Sequence, residues 1–376
     1  MGNTPLISAL RNQNERGNAI LKELRTNGAI EKVTIEPRKY GAQEACAILG
    51  RSLPWLRDNS RHIEASGNGR RYYSLEDLRE MREEHDLLFS KPEGGKAIVK
   101  VVSNFKGGVG KTTSAVHEAH YMATYQGMNV LVVDLDPQAS STFCLGAIIP
   151  DLDITASDTI LNALTKDIRA FGDIIRETYV PGVDLIPSNL SLQSLDHTLL
   201  GASSENIERM GPIVSRLDKV LKLVENHYDL VIIDCPPNMG LATGNALVAA
   251  QALTVAVPPA LYDLGSAILF NKSIAEFLEA TGETIDSYRV LLTKNPQTAS
   301  SKRTENKIRQ IFEESVHVGT ILQTTEFEKA SECFTTVYDL SRDLTSKKTY
   351  ERAIESLNIV HEEAFGDYLE MWGVEQ

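Results

Sequence analysis

Five short apolar runs rich in β-branched residues recur along the chain, and they constrain its fold more than any other feature. The runs are AIVKVVS (97–103), NVLVVDL (129–135), LVIIDCP (230–236), ALTVAVP (252–258) and RVLLT (289–293), and helical segments separate them. Such runs are typical of parallel strands buried on both faces under helices. Because strands and helices alternate, we expect right-handed crossovers and an α/β fold with a doubly wound, mostly parallel sheet.

The segment SKPEGG (90–95) marks the best domain boundary, because it places proline and two glycines between helix-like and strand-like runs. We therefore expect three parts: an N-terminal helix within 1–36, a compact module over 37–95 and the α/β domain over 96–376. A chain of 376 residues with 42% hydrophobic content is long enough to bury a core of that size.

The charge balance limits the kinds of partner. The chain has 38 Lys and Arg against 51 Asp and Glu, a net charge of −13, so any nucleic-acid contact must be local. No stretch reaches the roughly 18 apolar residues of a membrane span, and we expect a cytoplasmic protein without an export signal. The cysteines lack the close spacing of zinc sites or disulfide frameworks, and we expect reduced thiols. They are Cys46, Cys144, Cys235 and Cys333.

A glycine-rich loop lies between the run VKVVSN and the helix-like segment SAVHEAHYMATYQG. Strand, loop and helix in this order form a phosphate-binding site, because the glycines let backbone N–H groups surround phosphate oxygens at a helix N-terminus. Lys111 would bridge the β- and γ-phosphates, the Thr112 hydroxyl would bind Mg²⁺, and Thr113 would lie near the α-phosphate. The predicted nucleotide-binding residues of the loop are Lys106, Gly107, Gly108, Val109, Gly110, Lys111, Thr112 and Thr113.

The loop departs from the ordinary phosphate-loop pattern in one respect. Phe105 stands where that pattern begins with glycine, and Lys106 precedes the glycine pair. The resulting KGGVGKTT resembles the deviant Walker A motif of the ParA/MinD ATPases. The resemblance implies a P-loop NTPase of the SIMIBI type that binds ATP or ADP with Mg²⁺. It also implies a homodimer in which Lys106 reaches the partner's phosphates.

Two carboxylate motifs follow predicted strands, at the edge where open α/β sheets bind ligands. Asp234 leaves the run LVII and fits a Walker B aspartate that holds a Mg²⁺-bound water. By resemblance, DLDPQ is switch I, in which Asp136 orients or deprotonates the attacking water and Asp134 supports magnesium. The predicted catalytic residues are Lys106, Lys111 and Asp136, and the predicted metal-site residues are Thr112, Asp134 and Asp234. The alternative is that Asp134 or Asp136 only caps the next helix.

Adenine contacts are harder to assign from the sequence. Asn295, after the run RVLLT, and the segment 258–261 occur where base-binding loops fall in ParA/MinD ATPases. Loop asparagines are common, so Asn295 is the weaker part of the nucleotide prediction.

The segment 40–85 has the features of helix, turn, helix, wing and helix, and it resembles a MerR-like winged helix-turn-helix. Gly50 makes the turn, Ser52 and Pro54 begin the second helix, and Ser74 to Asp77 form a capping box. Residues 37–74 hold seven Lys or Arg against three Asp or Glu, which favours DNA binding. The predicted DNA-facing residues are Ser52, Arg57, Asn59, Ser60, Arg61, Arg70 and Arg71. A protein-interaction module is the alternative.

The motifs together resemble the large plasmid-partition ATPases, the ParA/SopA type and the RepA of repABC plasmids. The resemblance implies an ATP-driven sandwich dimer on non-specific DNA, hydrolysis that is slow until a ParB-like partner stimulates it, and autorepression through the winged module. It also implies nucleoid association and higher assemblies on DNA.

Two further surfaces follow from that resemblance. The helix expected at 4–27 would be a dimerisation helix, although its apolar spacing is irregular and a frayed tail is nearly as plausible; its apolar residues are Leu6, Leu10, Ile20, Leu21 and Leu24. Non-specific DNA would bind cations of the ATPase domain, for which the candidates are Lys302, Arg303, Lys329, Lys347 and Lys348.

Three other classes of protein compete with this interpretation. A nucleotide-sensing transcriptional repressor without a motor role is the strongest. A membrane-cycling MinD-like ATPase would need a basic amphipathic C-terminal helix, and the tail HEEAFGDYLEMWGVEQ is acidic. Metabolic enzymes with similar loops form the third class; among them, iron–sulfur reductases would need a cysteine pair, and neither Cys144 nor Cys235 has a convincing companion. Metabolic ligases would not explain the winged module.

Overall fold

A computed structural model describes residues 4–26, 37–67, 69–146 and 148–374. The first part of the chain contains, in order, α1 (Thr4–Thr26), β1 (Tyr40–Gly41), α2 (Ala42–Leu49), α3 (Leu53–Asn59), β2 (Tyr72–Tyr73) and α4 (Leu75–Glu84). The middle part contains β3 (Ile98–Ser103), α5 (Lys111–Thr124), β4 (Val130–Asp134), α6 (Ser140–Gly146), α7 (Pro150–Asp153), α8 (Leu161–Thr165), β5 (Arg176–Glu177), β6 (Val183–Ile186), α9 (Leu195–Leu200), α10 (Ser204–Met210) and α11 (Arg216–Leu221). The last part contains β7 (Leu230–Asp234), α12 (Leu241–Ala249), β8 (Ala252–Val257), α13 (Leu261–Thr281), β9 (Ser287–Asn295), α14 (Ala299–Phe312), β10 (Val316–Leu322), α15 (Glu326–Glu332) and α16 (Lys347–Met371).

The large sheet confirms the predicted fold class. Its eight strands lie in the order β10-β9-β8-β3-β7-β4-β6-β5. All neighbours pair in parallel except the short edge strand β5, which is antiparallel to β6. Every residue of β3, β4, β7 and β8 is buried, as expected for strands with helices on both faces.

Strand register brings the functional ends of three strands together. Val102 of β3 and Asp134 of β4 both pair with Asp234 of β7. Because all three strands run in the same direction, the loop after β3 and the two aspartates meet at one edge of the sheet. Ligands of open α/β sheets bind at this carboxyl edge.

A charge pair interrupts the apolar core at the centre of the sheet. Lys100 of β3 donates to both carboxylate oxygens of Glu118 on α5 at 2.7 Å, and the Tyr368 hydroxyl of α16 also donates to that carboxylate. A buried charge needs such partners, because an unpaired one would cost several kcal/mol, on the order of the whole stability of a domain. The pair therefore joins α5 and the C-terminal helix to the central strand.

The N-terminal module consists of α2, α3, α4 and a two-stranded antiparallel ribbon in which Tyr40 pairs with Tyr73. The predicted capping box is confirmed: Asp77 N donates to Ser74 Oγ and Ser74 N donates to the Asp77 carboxylate. One prediction is wrong. Ser60 is buried and lies 3.0 Å from the Tyr73 hydroxyl, because it follows buried Leu56 by one helical turn and lies on the same side of α3.

The module packs against the α/β domain through apolar residues of one continuous core, which includes Tyr40 and Leu56 with Val102 and Met122. Helix α1 occupies the segment in which a helix was predicted, and Ile7, Leu10 and Ile20 are exposed on it. The side chains of the other predicted apolar positions, Leu6, Leu21 and Leu24, lie outside the described residues. Among the described helices, none is both long enough and apolar enough to cross a bilayer.

Candidate functional site

The loop between β3 and α5 has the backbone shape of a phosphate cradle. Gly108 and Gly110 have φ angles of 73° and 97°, which non-glycine residues rarely adopt. A Cβ on Gly110 would make ordinary van der Waals contact with the Thr293 side chain at 3.4 Å, so the backbone angle and not a lack of space requires glycine here. The loop leads directly into the first turn of α5, whose free N–H groups and helix dipole favour an anion.

Two residues that sequence reasoning missed hold this loop in place. Asn104 donates to the carbonyl of Ala256 at 2.7 Å and accepts from Lys106 N at 3.2 Å. Thr293 Oγ1 donates to the Val109 carbonyl at 2.6 Å. The loop is therefore fixed to β8 and β9 before any ligand binds. The one signal for this role in the sequence is the position of Asn104 directly after the run AIVKVVS, which forms β3.

Lys111 is the buried cation of the loop. Its ammonium donates to the Lys106 carbonyl at 3.3 Å. Burial lowers the pKa of Lys111, and the carboxylates of Asp234 and Asp136 partly offset this effect. A buried ammonium with so few partners is suited to bind phosphate oxygens.

Lys106 is placed differently from Lys111. Its side chain is 43% exposed, and its ammonium lies 2.7 Å from Oδ1 of Asp263 in the first turn of α13. Sequence reasoning missed Asp263, although a carboxylate in the first turn after the run ALTVAVP was a usable signal. The two predicted lysines thus lie on either side of the loop, one buried and one at its rim.

Asp234 has the geometry of a metal-side carboxylate. Its Oδ2 accepts from Thr112 Oγ1 at 2.7 Å and from Ser141 Oγ at 2.8 Å. Its Oδ1 is buried and has no hydrogen-bond partner among the described residues. Burial raises the pKa of Asp234 to about 6, against the lowering effect of the two hydroxyls and Lys111. An unpartnered carboxylate oxygen beside a hydroxyl fits Mg²⁺, which prefers a few oxygen ligands and completes its shell with phosphates and water.

Asp134 pairs with Asp234 across the sheet, and both of its carboxylate oxygens already accept hydrogen bonds from nearby residues of the chain. Its Oδ1 accepts from Asp136 N at 3.1 Å, and its Oδ2 accepts from Thr142 N at 2.9 Å and Thr142 Oγ1 at 2.7 Å. Burial and the neighbouring Asp234 raise the pKa of Asp134. The contacts to Thr142 match the alternative in which this aspartate anchors the following helix, here α6.

Asp136 is half-buried at the start of the loop between β4 and α6. Its Oδ1 accepts from Gln138 N at 2.9 Å, and its main-chain carbonyl accepts from Ser188 Oγ at 2.7 Å. The carboxylate is therefore oriented by its own loop but remains accessible from the phosphate side. A general base needs both properties.

A cavity of about 300 Å³ adjoins the loop on the side of β9 and β10. It is lined by Gly110, Thr113, Ser114, Thr293, Lys294, Ile321, Leu322, Gln323, Thr324, Phe327, Glu328 and Ser331. Neither Asn295 nor the segment 258–261 lines it. Instead, the Asn295 amide donates to Glu305 Oε2 at 3.0 Å and accepts from Gln297 N at 3.0 Å, behind the cavity wall.

Apart from buried Ser60, the predicted DNA residues of the N-terminal module fall into two groups. Arg57, Arg70 and Arg71 line one open groove of about 710 Å³ together with exposed Tyr72. The other three have local roles in this structure. Ser52 caps α3, Asn59 donates to the Trp55 carbonyl, and Arg61 pairs with Asp58.

The cations of the α/β domain that were predicted to bind non-specific DNA also fall into two groups. Lys302 and Arg303 are exposed near the start of α14, and Lys347 and Lys348 are exposed at the start of α16. A contact between Arg352 and Gln297 brings these two helix starts together. Lys329 is half-buried and pairs with Glu326 at 3.1 Å, so it belongs to α15 and not to this group.

Comparisons with known proteins agree with this geometry. A family model described as an AAA domain matches residues 96–287. The chain is 32% identical over 357 residues to a protein of Rhizobium rhizogenes named replication protein A, and the match covers 89% of this chain and 88% of that protein. It is 31% identical over 325 residues to the protein SopA of Escherichia coli (strain K12), covering 82% of each chain.

Solved structures give the same result for the fold. A structure titled "Partition Protein" superposes with a TM-score of 0.65 at 20% identity and covers 96% of this chain and all of that chain. A cobyrinic acid a,c-diamide synthase of Mycobacterium smegmatis with a bound ATP analog and magnesium superposes with a TM-score of 0.52 at 28% identity, covering 67% of this chain and 98% of that one. The first of these similarities extends over the N-terminal module as well as the sheet.

Proposed function

The chain belongs to the ParA-type family of plasmid partition ATPases, and we propose that it couples ATP hydrolysis to DNA segregation. In the ATP state, two copies would form a sandwich and bind DNA without sequence preference. A ParB-like centromere-binding partner would then stimulate hydrolysis and release the DNA. The observation that carries this proposal is the phosphate loop with one buried and one rim lysine, Lys111 and Lys106.

Lys106, Lys111 and Asp136, together with Mg²⁺, would suffice for slow hydrolysis. Lys111 and the loop N–H groups would bind the β- and γ-phosphates, and Asp136 would orient the attacking water and accept its proton. Thr112 and Asp234 would hold Mg²⁺, which neutralises charge on the phosphate oxygens when bound. Asp134 would position the loop through Thr142. No covalent intermediate is needed, because phosphoryl transfer depends on positioning and charge neutralisation.

The base would occupy the cavity of about 300 Å³ beside the loop. Phe327 and Leu322 supply apolar surface there, and Gln323 and Thr324 supply polar groups for the base edge. Asn295 does not line this cavity and would act indirectly, by accepting a hydrogen bond from Gln297 N and so fixing the turn there.

The partner subunit would sit against Lys106 and α13. Helix α13 exposes Leu261, Tyr262 and Leu269 to 66%, 86% and 63%, next to the Lys106 and Asp263 pair. Exposed apolar side chains grouped in this way are typical of association surfaces. Helix α1, with exposed Ile7 and Leu10, would add a second, nucleotide-independent dimer contact.

DNA would bind at two surfaces with different tasks. The paired starts of α14 and α16, with Lys302, Arg303, Lys347 and Lys348, would bind phosphates of any sequence. The groove of Arg57, Arg70 and Arg71 would bind the chain's own operator as a winged helix-turn-helix and repress its operon in the ADP or nucleotide-free state. The first surface would place the ATP form on the nucleoid in the cytoplasm, where higher assemblies would form along the DNA.

A nucleotide-sensing repressor without a motor role is the second candidate, and the cationic groove on the N-terminal module favours it. The two candidates differ in what ATP does to random DNA. Fluorescence anisotropy with a random duplex, measured with ATP and Mg²⁺, with ADP and Mg²⁺ and without nucleotide, separates them.

We expect tight binding to the random duplex only with ATP and Mg²⁺, and loss of that binding in Lys111→Ala. Lys222→Ala, at an exposed position at the end of α11 and outside the proposed partner and DNA surfaces, is the control and should bind as the wild type does. Random-DNA binding that is the same in all three nucleotide states would overturn the motor proposal in favour of the repressor.

A further inference from the structure

The N-terminal module holds the far end of the helix that begins at the phosphate loop. Arg82 of α4 is buried, and its Nη2 donates to the carbonyls of Thr124 and Tyr125, at 3.2 and 2.7 Å, where α5 ends. The same nitrogen donates to the Ile48 carbonyl of the module at 2.6 Å. A cation at the C-terminus of a helix donates hydrogen bonds to the free carbonyl groups there and is stabilised by the negative end of the helix dipole. The end of α5 is therefore fixed to the module.

His117, in the second turn of α5, makes a second connection, between the start of this helix and a distant segment of the chain. His117 Nδ1 donates to the Thr113 carbonyl at 2.7 Å, and its Nε2 accepts from Val337 N at 2.9 Å. The two partners require a neutral ring with its proton on Nδ1. Burial lowers the pKa of His117 to about 4, in agreement with a neutral ring. His117 thus links Thr113, which is expected near the α-phosphate, to the segment 336–339, which we call the bridge.

The bridge reaches the N-terminal module at its other end. Tyr40 of β1 donates through its hydroxyl to Asp339 Oδ1 at 2.7 Å, and Arg38 Nε donates to the Tyr338 carbonyl at 2.7 Å. Tyr40 and Asp339 are both buried. Hydrogen bonds and one short helical turn, 337–339, therefore connect Thr113 to the ribbon of the module.

The bridge has a second hydrogen-bonding arrangement within reach. His120 Nδ1 lies 2.9 Å from Thr336 Oγ1 and 3.6 Å from Asp339 Oδ2. In the part of the chain that the structure describes, Asp339 Oδ2 and His120 Nε2 are buried and have no hydrogen-bond partner. Unsatisfied buried polar atoms are costly. A shift that exchanged Thr336 for Asp339 as the partner of His120 Nδ1 would satisfy Asp339 Oδ2 and leave the buried Thr336 hydroxyl without this partner, so the two arrangements are similar in cost. Two packed arrangements of similar free energy are what a coupling element requires.

We propose that the nucleotide dependence of DNA binding assigned above to the module passes through the bridge, so that the contacts of His117, Tyr40 and Asp339 carry the effect of bound nucleotide on the exchange protection of the module and on its affinity for DNA. This inference rests on the proposed nucleotide site. By linkage, DNA bound to the module changes nucleotide affinity by the same factor, typically about 5-fold to 150-fold.

Hydrogen–deuterium exchange of the full chain, with and without ATP and Mg²⁺, tests the coupling. The variant is Tyr40→Phe, which removes the hydroxyl that reaches Asp339. The matched control is Tyr73→Phe, because Tyr73 is the register partner of Tyr40 in the same ribbon but its hydroxyl contacts Ser60 within the module. Both positions lie outside the nucleotide site.

In the wild type and in Tyr73→Phe, we expect ATP to protect residues 106–113 and to change exchange in residues 42–49 and 75–84. In Tyr40→Phe, the protection of 106–113 should remain while the change in the module is several-fold smaller, because the contacts of Arg38 and Arg82 are still present. The coupling is overturned if ATP protects 106–113 in the wild type but leaves the module unchanged, or if Tyr40→Phe responds as Tyr73→Phe does. If ATP protects nothing at 106–113, the nucleotide site itself is overturned and the coupling with it.

Discussion

The ammonium of Lys106 lies 2.7 Å from Oδ1 of Asp263. The cation that is expected to reach a partner's phosphates is therefore held by its own subunit. Asp263 lies in the first turn of α13, beside exposed Leu261 and Tyr262. Assembly of a sandwich dimer would require Lys106 to exchange this carboxylate for phosphate oxygens.

Neutralising Asp263 should therefore favour ATP-dependent association. The Lys106 side chain is close to half-exposed, so its ion pair with Asp263 contributes at most about 1 kcal/mol. This corresponds to roughly a fivefold change in the association constant. Sedimentation equilibrium with a non-hydrolysable ATP analogue should show Asp263→Asn to be the stronger dimer by up to that factor. Asp218→Asn, which removes an ion pair with exposed Lys222 at the end of α11, away from the proposed dimer surface, should leave the constant unchanged. Weaker association of Asp263→Asn would mean that Asp263 supports the dimer.

Asp136→Asn should separate hydrolysis from binding. The substitution keeps an oxygen that can accept from Gln138 N but removes the proton acceptor for the attacking water. We expect kcat to fall by roughly 10²-fold to 10⁴-fold, while the Kd for ATP, measured by calorimetry, changes little. A loss of ATP binding in this variant would contradict the assignment of Asp136 as the general base.

The sequence was sufficient for the sheet, the phosphate loop and the strand-end aspartates, because each depends on residues close together in the chain. It was not sufficient for the pairing of Asp134 with Asp234, which follows from β7 lying between β3 and β4. The contact of Lys106 with Asp263 depends in the same way on strand order. Ser60 was predicted to face DNA because it is a small polar residue near the end of the second helix, but it lies on the same side of that helix as Leu56 and is buried against Tyr73.

The bridge shows a different limit of sequence analysis. Residues 336–339 form only a short helical turn, without a repeating apolar pattern or a motif. Their roles come from partners on other elements, including His117 on α5 and Tyr40 on β1. Contacts between segments so distant in the chain leave no signature in either segment alone.

Asp339 should make the stability of the protein depend on pH. Burial raises the pKa of Asp339 to about 7, against the lowering effects of Tyr40 and Arg38. An unfolded aspartate has a pKa of about 3.9, so between these values only the folded state holds the proton. The stabilising effect of that proton is present below about pH 4 and disappears as the pH rises through 7.

Asp339→Asn removes this dependence and keeps an acceptor for Tyr40. Urea unfolding at pH 5 and pH 8 should show the variant gaining stability relative to the wild type at the higher pH, by an amount on the order of a few kcal/mol. The exposed control Asp58→Asn should show the same small difference at both values. A difference for Asp339→Asn that is independent of pH would contradict the buried, proton-binding carboxyl.

The groove on the N-terminal module should bind DNA phosphates. Arg57→Ala should weaken binding to a duplex from the chain's own upstream region and reduce the slope of log K against log salt by about 0.9 for each phosphate that Arg57 neutralises in the wild type. Anisotropy titrations at several NaCl concentrations measure this slope, with Lys222→Ala as the control. An unchanged slope and affinity in Arg57→Ala would favour a protein-interaction role for the module.

The most direct measurement of the central claim is ATP turnover, followed as phosphate release. It should be made with random duplex DNA, with the DNA-binding partner protein encoded in the same operon, and with both together. The account predicts slow release by the chain alone, stimulation by both additions that exceeds the sum of their separate effects, and no release by Lys111→Ala. Absence of hydrolysis by the wild type, or a rate that neither DNA nor the partner changes, would contradict it.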